Sequence, residues 1–453
     1  MYKIVEGLEV TVDITSNPYG IELDHLFQMA ARINKKRSFL FVSKLLGKHL
    51  PVHPSLSLAS GAMLGCLYET TILERQPASP ASLSVQQLQE ACNDPKKADE
   101  LYRRLMDNKI KVDEPTLFIG FAETATGLGH SMFDAFEGNV MYLHTTREQI
   151  EHRRSVINFE EEHSHAMSHR CYAEDADTFR KASRIVLVDD EMTTGKTSLN
   201  IIKELFEKFG QRDYIVASLL DWRSQADRSR FDQLEQELDI RIRCLSFVEG
   251  AITVEGSPLV HEEQSATTEK PDNAVSFRRF DVSDFFSHVS GSHTEKDDIP
   301  YLQNTGRFGM NALQGAELDL EVAQAAKNLG ERRTGKRILC MGTGEFMYVP
   351  MRIADLMGDG VYYQSTTRSP IYPMQQKNYA VTSAYRFESV DDESVANFMY
   401  NVAPGQYDEA FVFIEREFEA DKGKSFERAL SRIGIPIVNL VFFGKSELPG
   451  VRS

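Results

Sequence analysis

The segment Arg184-Ile185-Val186-Leu187-Val188-Asp189-Asp190-Glu191-Met192-Thr193-Thr194-Gly195-Lys196-Thr197 limits the folds open to this chain more than any other. Its four consecutive apolar residues read as a strand buried on both faces, the habit of strands in a parallel sheet. Two carboxylates stand at the carboxyl end of that strand, and a Thr-Thr-Gly turn then opens a helix. The same rhythm recurs on either side. Short apolar runs at Leu117–Phe121, Val140–Leu143, Tyr214–Leu220 and Ile240–Val248 alternate with helical patterns, one ending near Phe136, one at Thr197–Phe209 and one over 224–237. Strands alternating with longer helices predict right-handed crossovers, hence an α/β fold with a mostly parallel sheet and flanking helices. Residues 76–113 carry a further helical pattern after the breakers Pro77 and Pro80.

In an open parallel sheet, ligands bind outside the carboxyl ends of the strands, which is where Asp189 and Asp190 fall. The turn that follows presents backbone N–H groups, hydroxyls and the positive end of a helix dipole, a combination suited to a phosphate dianion. Gly195 lets the backbone approach such a ligand closely. The paired acids would repel phosphate, so they call for a sugar diol, a Mg²⁺ ion or both. Gly195-Lys196-Thr197 also ends like a nucleotide phosphate loop, but that loop needs a glycine where Asp190 stands.

Composition narrows the partners. Asp and Glu total 67 against 51 Lys and Arg, a formal charge of -16, which argues against broad binding to nucleic acid or an anionic membrane. A local basic site for a small phosphorylated ligand is compatible with that balance. The five cysteines, Cys66, Cys92, Cys171, Cys244 and Cys340, are far apart and never in a C-x-x-C pair, so they read as reduced thiols. With no basic leader before an apolar core and no long apolar run, the chain is expected to be cytoplasmic.

The C-terminal part repeats the first. With Glu123 set on Glu345, Leu117-Phe118-Ile119-Gly120 falls on Leu339-Cys340-Met341-Gly342. After a one-residue gap, Tyr142-Leu143-His144-Thr145-Thr146-Arg147 falls on Tyr363-Gln364-Ser365-Thr366-Thr367-Arg368, and Ile185–Val188 then falls on Phe411–Ile414. Agreement of Gly-x-x-Glu and Thr-Thr-Arg at matched spacing favours a duplication over the shared rhythm of unrelated α/β units. Residues 256–300 are rich in Ser, Glu, Asp, Thr and His and read as a linker with some local structure. The expected division is therefore 1–255, with an N-terminal extension, then 256–300, then 301–453.

The run Val186-Leu187-Val188-Asp189-Asp190 followed by Thr193-Thr194-Gly195 and Thr197 resembles the phosphoribosyl-diphosphate (PRPP) signature of type I phosphoribosyltransferases. The wider chain resembles a branch of that family associated with tellurium-resistance gene clusters, in which a transferase domain precedes a TRSP domain. The motif naming that domain is Thr367-Arg368-Ser369-Pro370. The resemblance implies that Asp189 and Asp190 hold the ribose hydroxyls, and with them Mg²⁺, while Thr193, Thr194, Gly195, Lys196 and Thr197 cradle the 5-phosphate. It implies a pyrophosphate loop at Ala122, Glu123 and Thr124, although an acid such as Glu123 beside pyrophosphate needs Mg²⁺ or an incoming amine as mediator. Arg147 would meet the pyrophosphate, with Arg153 and Arg154 as either helpers or a solvated turn. In the repeat, Asp189 and Asp190 become Glu415 and Arg416, and Thr193, Thr194 and Gly195 become Glu419, Ala420 and Asp421. The second unit is thus expected to be transferase-like but degenerate, without the phosphate site.

Residues 148–175 are too long for an ordinary connection, and the resemblance implies a mobile hood there. His163, His165 and His169 within it are either hood contacts, metal ligands or part of an exposed acidic helix. Trp222 either stacks on a base or packs in the core, and Lys35-Lys36-Arg37 reads better as a solvated face than as an anion site. The expected function is Mg²⁺-dependent transfer of ribose 5-phosphate between PRPP and an unidentified base or small-molecule acceptor, in synthesis of a nucleoside-like metabolite linked to tellurium resistance or stress. A non-catalytic PRPP- or nucleotide-sensing regulator is the alternative. Nucleic acid and membrane are not expected as partners; a homodimer or an intramolecular pseudo-dimer is.

Overall fold

A computed structural model describes residues 1–33, 37–75, 85–150, 153–160, 168–258, 275–289, 299–390, 394–418 and 421–444. The chain opens with β1 (Tyr2–Val5), β2 (Leu8–Ser16), α1 (Leu23–Leu26) and the hairpin β3 (Phe27–Ala31) and β4 (Phe39–Ser43). Three helices follow, α2 (Pro54–Thr71), α3 (Val85–Asn93) and α4 (Pro95–Met106). The alternating region is β5 (Ile110–Gly120), α5 (Ala125–Asp134), β6 (Phe136–His144), the hairpin β7 (Ile157–Glu160) and β8 (Ser168–Cys171), and α6 (Thr178–Lys181). It continues as β9 (Arg184–Met192), α7 (Lys196–Phe209), β10 (Asp213–Asp221), α8 (Gln225–Leu238) and β11 (Arg241–Gly256).

The second half holds β12 (Ser276–Asp281), β13 (Met310–Asn311), α9 (Ala312–Arg332), β14 (Ile338–Gly342), α10 (Tyr348–Leu356) and β15 (Val361–Ser365). The hairpin β16 (Ala384–Glu388) and β17 (Ala396–Tyr400), then β18 (Glu409–Ile414), α11 (Lys424–Arg432) and β19 (Ile437–Phe442), complete it. The first sheet runs β1-β2-β11-β10-β9-β5-β6-β13 and the second β12-β19-β18-β14-β15. The strands β11, β10, β9, β5 and β6 are mutually parallel, and so is the whole second sheet. Val186, Leu187 and Val188 are fully buried in the middle of the first sheet, as a strand flanked by β5 and β10 requires.

The two sheets are built alike. In order, β10-β9-β5-β6 corresponds to β19-β18-β14-β15, and each half carries an antiparallel hairpin after its last core edge strand, β7–β8 or β16–β17. The Thr145 N–H donates to Gly120 O at 2.9 Å and the Thr366 N–H to Gly342 O at 3.0 Å. The hydroxyls of Thr145 and Thr366 accept from Ala122 N and Gly344 N at 2.8 and 2.9 Å. Tyr142 OH reaches Thr126 O and Tyr363 OH reaches Met347 O. These are matched bonds at matched positions, so the chain contains two copies of one structural unit.

The copies exchange segments. The backbone of Gly47 and Val52 bonds to Ser365 and Tyr363 on the edge of β15, while Gly306 and β13 bond to the edge of β6. Both glycines are required by the approach: an added Cβ would meet the ring of Tyr363 at 2.7 Å or that of Tyr142 at 2.3 Å. Covering each edge in this way removes unpaired backbone groups from solvent. Between the halves, the His130 ring of α5 stacks on Tyr348 of α10 at 3.6 Å, and Asp134 takes Tyr348 OH and Arg352 at 2.7 and 3.0 Å. The segment after Thr367 lines up on β3: the N–H groups of Ile33, Tyr372 and Ala380 donate to Pro370, Ala31 and Met29. Among the described residues, no helix is long and apolar enough to cross a membrane.

Candidate active site

The strand β9 runs four residues past its apolar run, so Asp189, Asp190 and Glu191 project half-buried from the carboxyl edge of the sheet. The Asp190 N–H donates to Asp189 Oδ1 at 2.9 Å. Thr193 and Thr194 then turn into Gly195, which caps α7 with φ +71°. Glycine is needed there twice over. Its φ is left-handed, and a Cβ would meet the ring of Phe231 at 2.6 Å. Beneath the turn, Arg223 lies over Phe231 and is held by Asp221 at 2.6 and 2.9 Å. The Lys196 N–H points at Thr194 Oγ1 (3.4 Å), and Thr197 follows in the first turn of α7.

The loop after β5 is brought to the same edge, since the Phe121 N–H donates to Val188 O at 3.0 Å, one residue before Asp189. Ala122, Glu123 and Thr124 are buried there. Arg147 Nη1 approaches Glu123 Oε2 at 3.4 Å, and Glu123 Oε1 is buried without a hydrogen-bond partner. Residues expected at the phosphate turn and residues expected at the loop thus share one edge of the sheet.

One placement differs from what the sequence suggests, and two settle between its alternatives. Arg37 is not a solvated charge: its Nη2 donates to Glu191 Oε1 at 2.5 Å and its Nη1 to Thr193 Oγ1 at 3.3 Å. It lies just before β4, whose apolar side chains anchor it against the sheet. Glu191 itself is held above the usual carboxylate range by burial, with Arg37 pulling the other way. Trp222 is core, 2% exposed and packed against Phe41 at 5.1 Å. Arg153 lies over the Phe308 ring and Arg154 is exposed.

Lys48 is a residue that sequence reasoning missed. It is 8% exposed and donates to Thr124 Oγ1 in the loop, arriving from the exchanged segment that covers the other half. Its signal was faint: Gly47-Lys48 matches Gly306-Arg307, but the spacing between copies differs there from the rest of the repeat. Arg307, the counterpart, enters the equivalent place in the second half and is closed in by Glu415 (2.8 Å), Glu148 (3.2 Å) and Glu345 (3.3 Å). Arg416 donates to Tyr301 OH at 2.9 Å and Ile299 O at 3.2 Å. The register corrects the sequence alignment by one residue: Leu117 pairs with Ile185 and Leu339 with Ala410, so Asp189 and Asp190 fall on Ile414 and Glu415, and Arg416 stands where the first half has Glu191. Asp421 pairs with Lys424, and Glu419 and Ala420 lie outside the described residues.

Residues 148–175 contain the hairpin β7–β8. His169 is buried within it, near Thr145 Oγ1 (3.1 Å) and stacked on Phe159, while His163 and His165 lie outside the described residues. Among the described residues, no three His, Cys, Asp or Glu side chains converge as a metal cage. Two adjacent, half-buried carboxylates at a strand end still fit a Mg²⁺ ion that brings most of its ligands from substrate and water.

A parallel α/β sheet with an acid pair, a glycine-capped phosphate turn and a second loop on the same edge defines a type I phosphoribosyltransferase-like domain, here followed by a second α/β domain of the same build. Residues 26–251 match the family described as "Phosphoribosyl transferase" (PRTase_2), and residues 304–430 match "TRSP domain C terminus to PRTase_2". The chain is a PRTase_2 domain joined to a TRSP domain. No curated protein matches it. Among solved structures, it is similar to an adenine phosphoribosyl transferase from Trypanosoma brucei in complex with AMP, pyrophosphate and ribose-5-phosphate. The identity is 16%, over 37% of this chain and 73% of that one, with a TM-score of 0.25. An adenine phosphoribosyltransferase from Leishmania donovani gives 16%, 35%, 68% and 0.24, and one from Giardia lamblia complexed with 9-deazaadenine gives 17%, 36%, 84% and 0.23. At such scores the likeness carries no weight, and the fold class rests on the strand order and the family match.

Proposed function

We propose that the chain is a Mg²⁺-dependent phosphoribosyltransferase that moves ribose 5-phosphate between PRPP and a nitrogen acceptor. The observation that carries this reading is the acid pair Asp189-Asp190 directly ahead of the Gly195-capped helix. Thr193 to Thr197 bind the 5-phosphate through N–H groups and hydroxyls at the helix dipole. Asp189 and Asp190 hold the ribose hydroxyls, and Asp190 stabilises positive charge as C1 becomes oxocarbenium-like. Arg147 and Lys48 face the leaving pyrophosphate from opposite halves of the loop. Mg²⁺ supplies neutralisation of pyrophosphate charge. The C1–O bond breaks with its electron pair on pyrophosphate, the acceptor nitrogen bonds C1, and the acceptor gives up a proton.

A narrow cleft beside Asp190 and Glu191, with room for little more than a water molecule, is walled by Leu26, Phe41, Ser43, Leu45, Leu46 and Leu220. The wider role, in a nucleoside-like metabolite of tellurium resistance or stress in the cytoplasm, is proposed from the sequence resemblance alone. The division 1–255, 256–300 and 301–453 is likewise a proposal. The test is incubation with PRPP, Mg²⁺ and a metabolite extract, following pyrophosphate release and ribosylated products by mass spectrometry. Binding of PRPP without release under any acceptor would favour the sensing regulator instead.

A further inference from the structure

We propose that Glu345, in the second half, is a positioning residue for the first half's site and acts through Arg147; this rests on reading that site as a PRPP site. Glu345 stands in its own copy where Glu123 stands in the first, yet its carboxylate crosses to the other half. Oε1 accepts the Arg147 N–H at 2.9 Å and Oε2 accepts Thr146 Oγ1 at 2.6 Å. The Glu345 carbonyl takes the hydroxyl of Thr126 at 2.9 Å, and that hydroxyl also lies 2.9 Å from Glu123 O. One residue therefore ties down the turn after β6 and the start of α5, which flank the loop that carries Glu123.

The Thr146 hydroxyl is fully committed. It donates to Glu345 and accepts from Arg307 Nη1 at 3.0 Å and from the Glu148 N–H at 3.0 Å. Arg307, buried, faces Glu345 Oε2 and completes a closed set of charge-assisted bonds. With residues 146 and 147 pinned, the Arg147 guanidinium has only its side-chain torsions left with which to reach pyrophosphate. Preorganisation of this kind lowers the cost of binding. A carboxylate suits the task because it accepts an N–H and a hydroxyl at once while balancing Arg307; an amide would turn a donor toward one of them.

The test is a double-mutant cycle in the full chain, with Mg²⁺ and PRPP followed by calorimetry. Arg147→Ala and Glu345→Ala are each expected to weaken PRPP binding by about tenfold to a hundredfold, in keeping with the cost of a misplaced group. Together they should be no worse than Arg147→Ala alone. Independent, multiplying effects would overturn the proposal, as would normal PRPP affinity in Glu345→Ala. Should that variant not fold, Glu345→Gln enters the same cycle and is read in the same way. Hydrogen exchange at the Arg147 amide, slow in the parent chain and fast in the variant, reports the lost anchor directly. A parent chain that fails to bind PRPP would instead overturn the reading of the site.

Discussion

A buried lysine is costly unless something answers its charge. Among the described residues no carboxylate pairs with Lys48, and its ammonium meets only the Thr124 hydroxyl. Lys48→Met is therefore expected to unfold at the same or a higher temperature than the parent while losing PRPP affinity about tenfold or more, the scale of a charge-assisted hydrogen bond. Calorimetry and thermal melts check both halves of that statement. Asp189→Asn with Asp190→Asn should abolish turnover and weaken PRPP binding with the fold intact; unchanged PRPP affinity would refute the assigned role. Glu345 sets a pH dependence. Burial pushes its carboxyl up, but Arg307, His144 and the Arg147 N–H outweigh it and hold the group at about 2. Its folded value lies below the unfolded one, so it stabilises above about pH 4.5, and that contribution is lost as pH falls toward 2. The melting temperature of the parent should drop more steeply over that window than that of Glu345→Gln. The acid pair and the Thr-Thr-Gly turn were legible because their neighbours in sequence are their neighbours in space. Arg37 and Lys48 were not, since each reaches its loop only after the chain has folded back across more than one element.

At the scale of elements, Gly195 joins strand to helix in a conformation that other residues resist. Gly195→Ala should cost about 1–3 kcal/mol, from the left-handed φ and the Phe231 contact together, and should weaken phosphate binding. Chemical denaturation and calorimetry read the two effects separately. The hairpin β7–β8 stands in the segment expected to be a mobile hood, with His169 and Phe159 stacked inside it. Amide exchange in β7 and β8 should slow on adding PRPP; equal rates with and without it would remove the hood assignment. Most core strands and helices were visible in the sequence because four to seven apolar residues between turn formers leave few alternatives. β5 and β11 run well beyond their apolar runs, however, to Ile110 and Gly256. Their extra residues are held by backbone pairing with β6 and β2, which side-chain hydrophobicity does not announce. β13 was invisible for the same reason, being two residues long and defined by the edge it covers.

The whole molecule is built from two α/β units of matching strand order. A chain ending at residue 255 would lack β13 and leave the edge of β6 uncovered, so it is expected to aggregate or to melt well below the parent, as sizing and thermal unfolding would reveal. A fragment of residues 300–453 should not bind PRPP, because at its strand end Arg307 pairs with Glu415 and Arg416 donates to Tyr301. Pro370 of the TRSP motif accepts the Ile33 N–H just after β3, which brings the motif beside the first half, and Arg368→Ala in the full chain is expected to impair catalysis or acceptor binding; normal kinetics would remove that role. The repeat was legible from Gly-x-x-Glu and Thr-Thr-Arg, but the exchange of segments 47–52 and 306–311 was not, because it depends on which edge each segment covers. That exchange has a consequence for how such a protein can change over time. In a pair of identical subunits, any substitution arrives at both sites together, so a site cannot be closed without closing its twin. Once both copies lie in a single chain, the basic residue of one crossing segment can be varied alone. Arg307 is tied to three carboxylates in one half, while Lys48, among the described residues, meets only the Thr124 hydroxyl in the other. On the role proposed above for Glu345, the second copy is thereby free to take up a different duty, holding its sibling in shape.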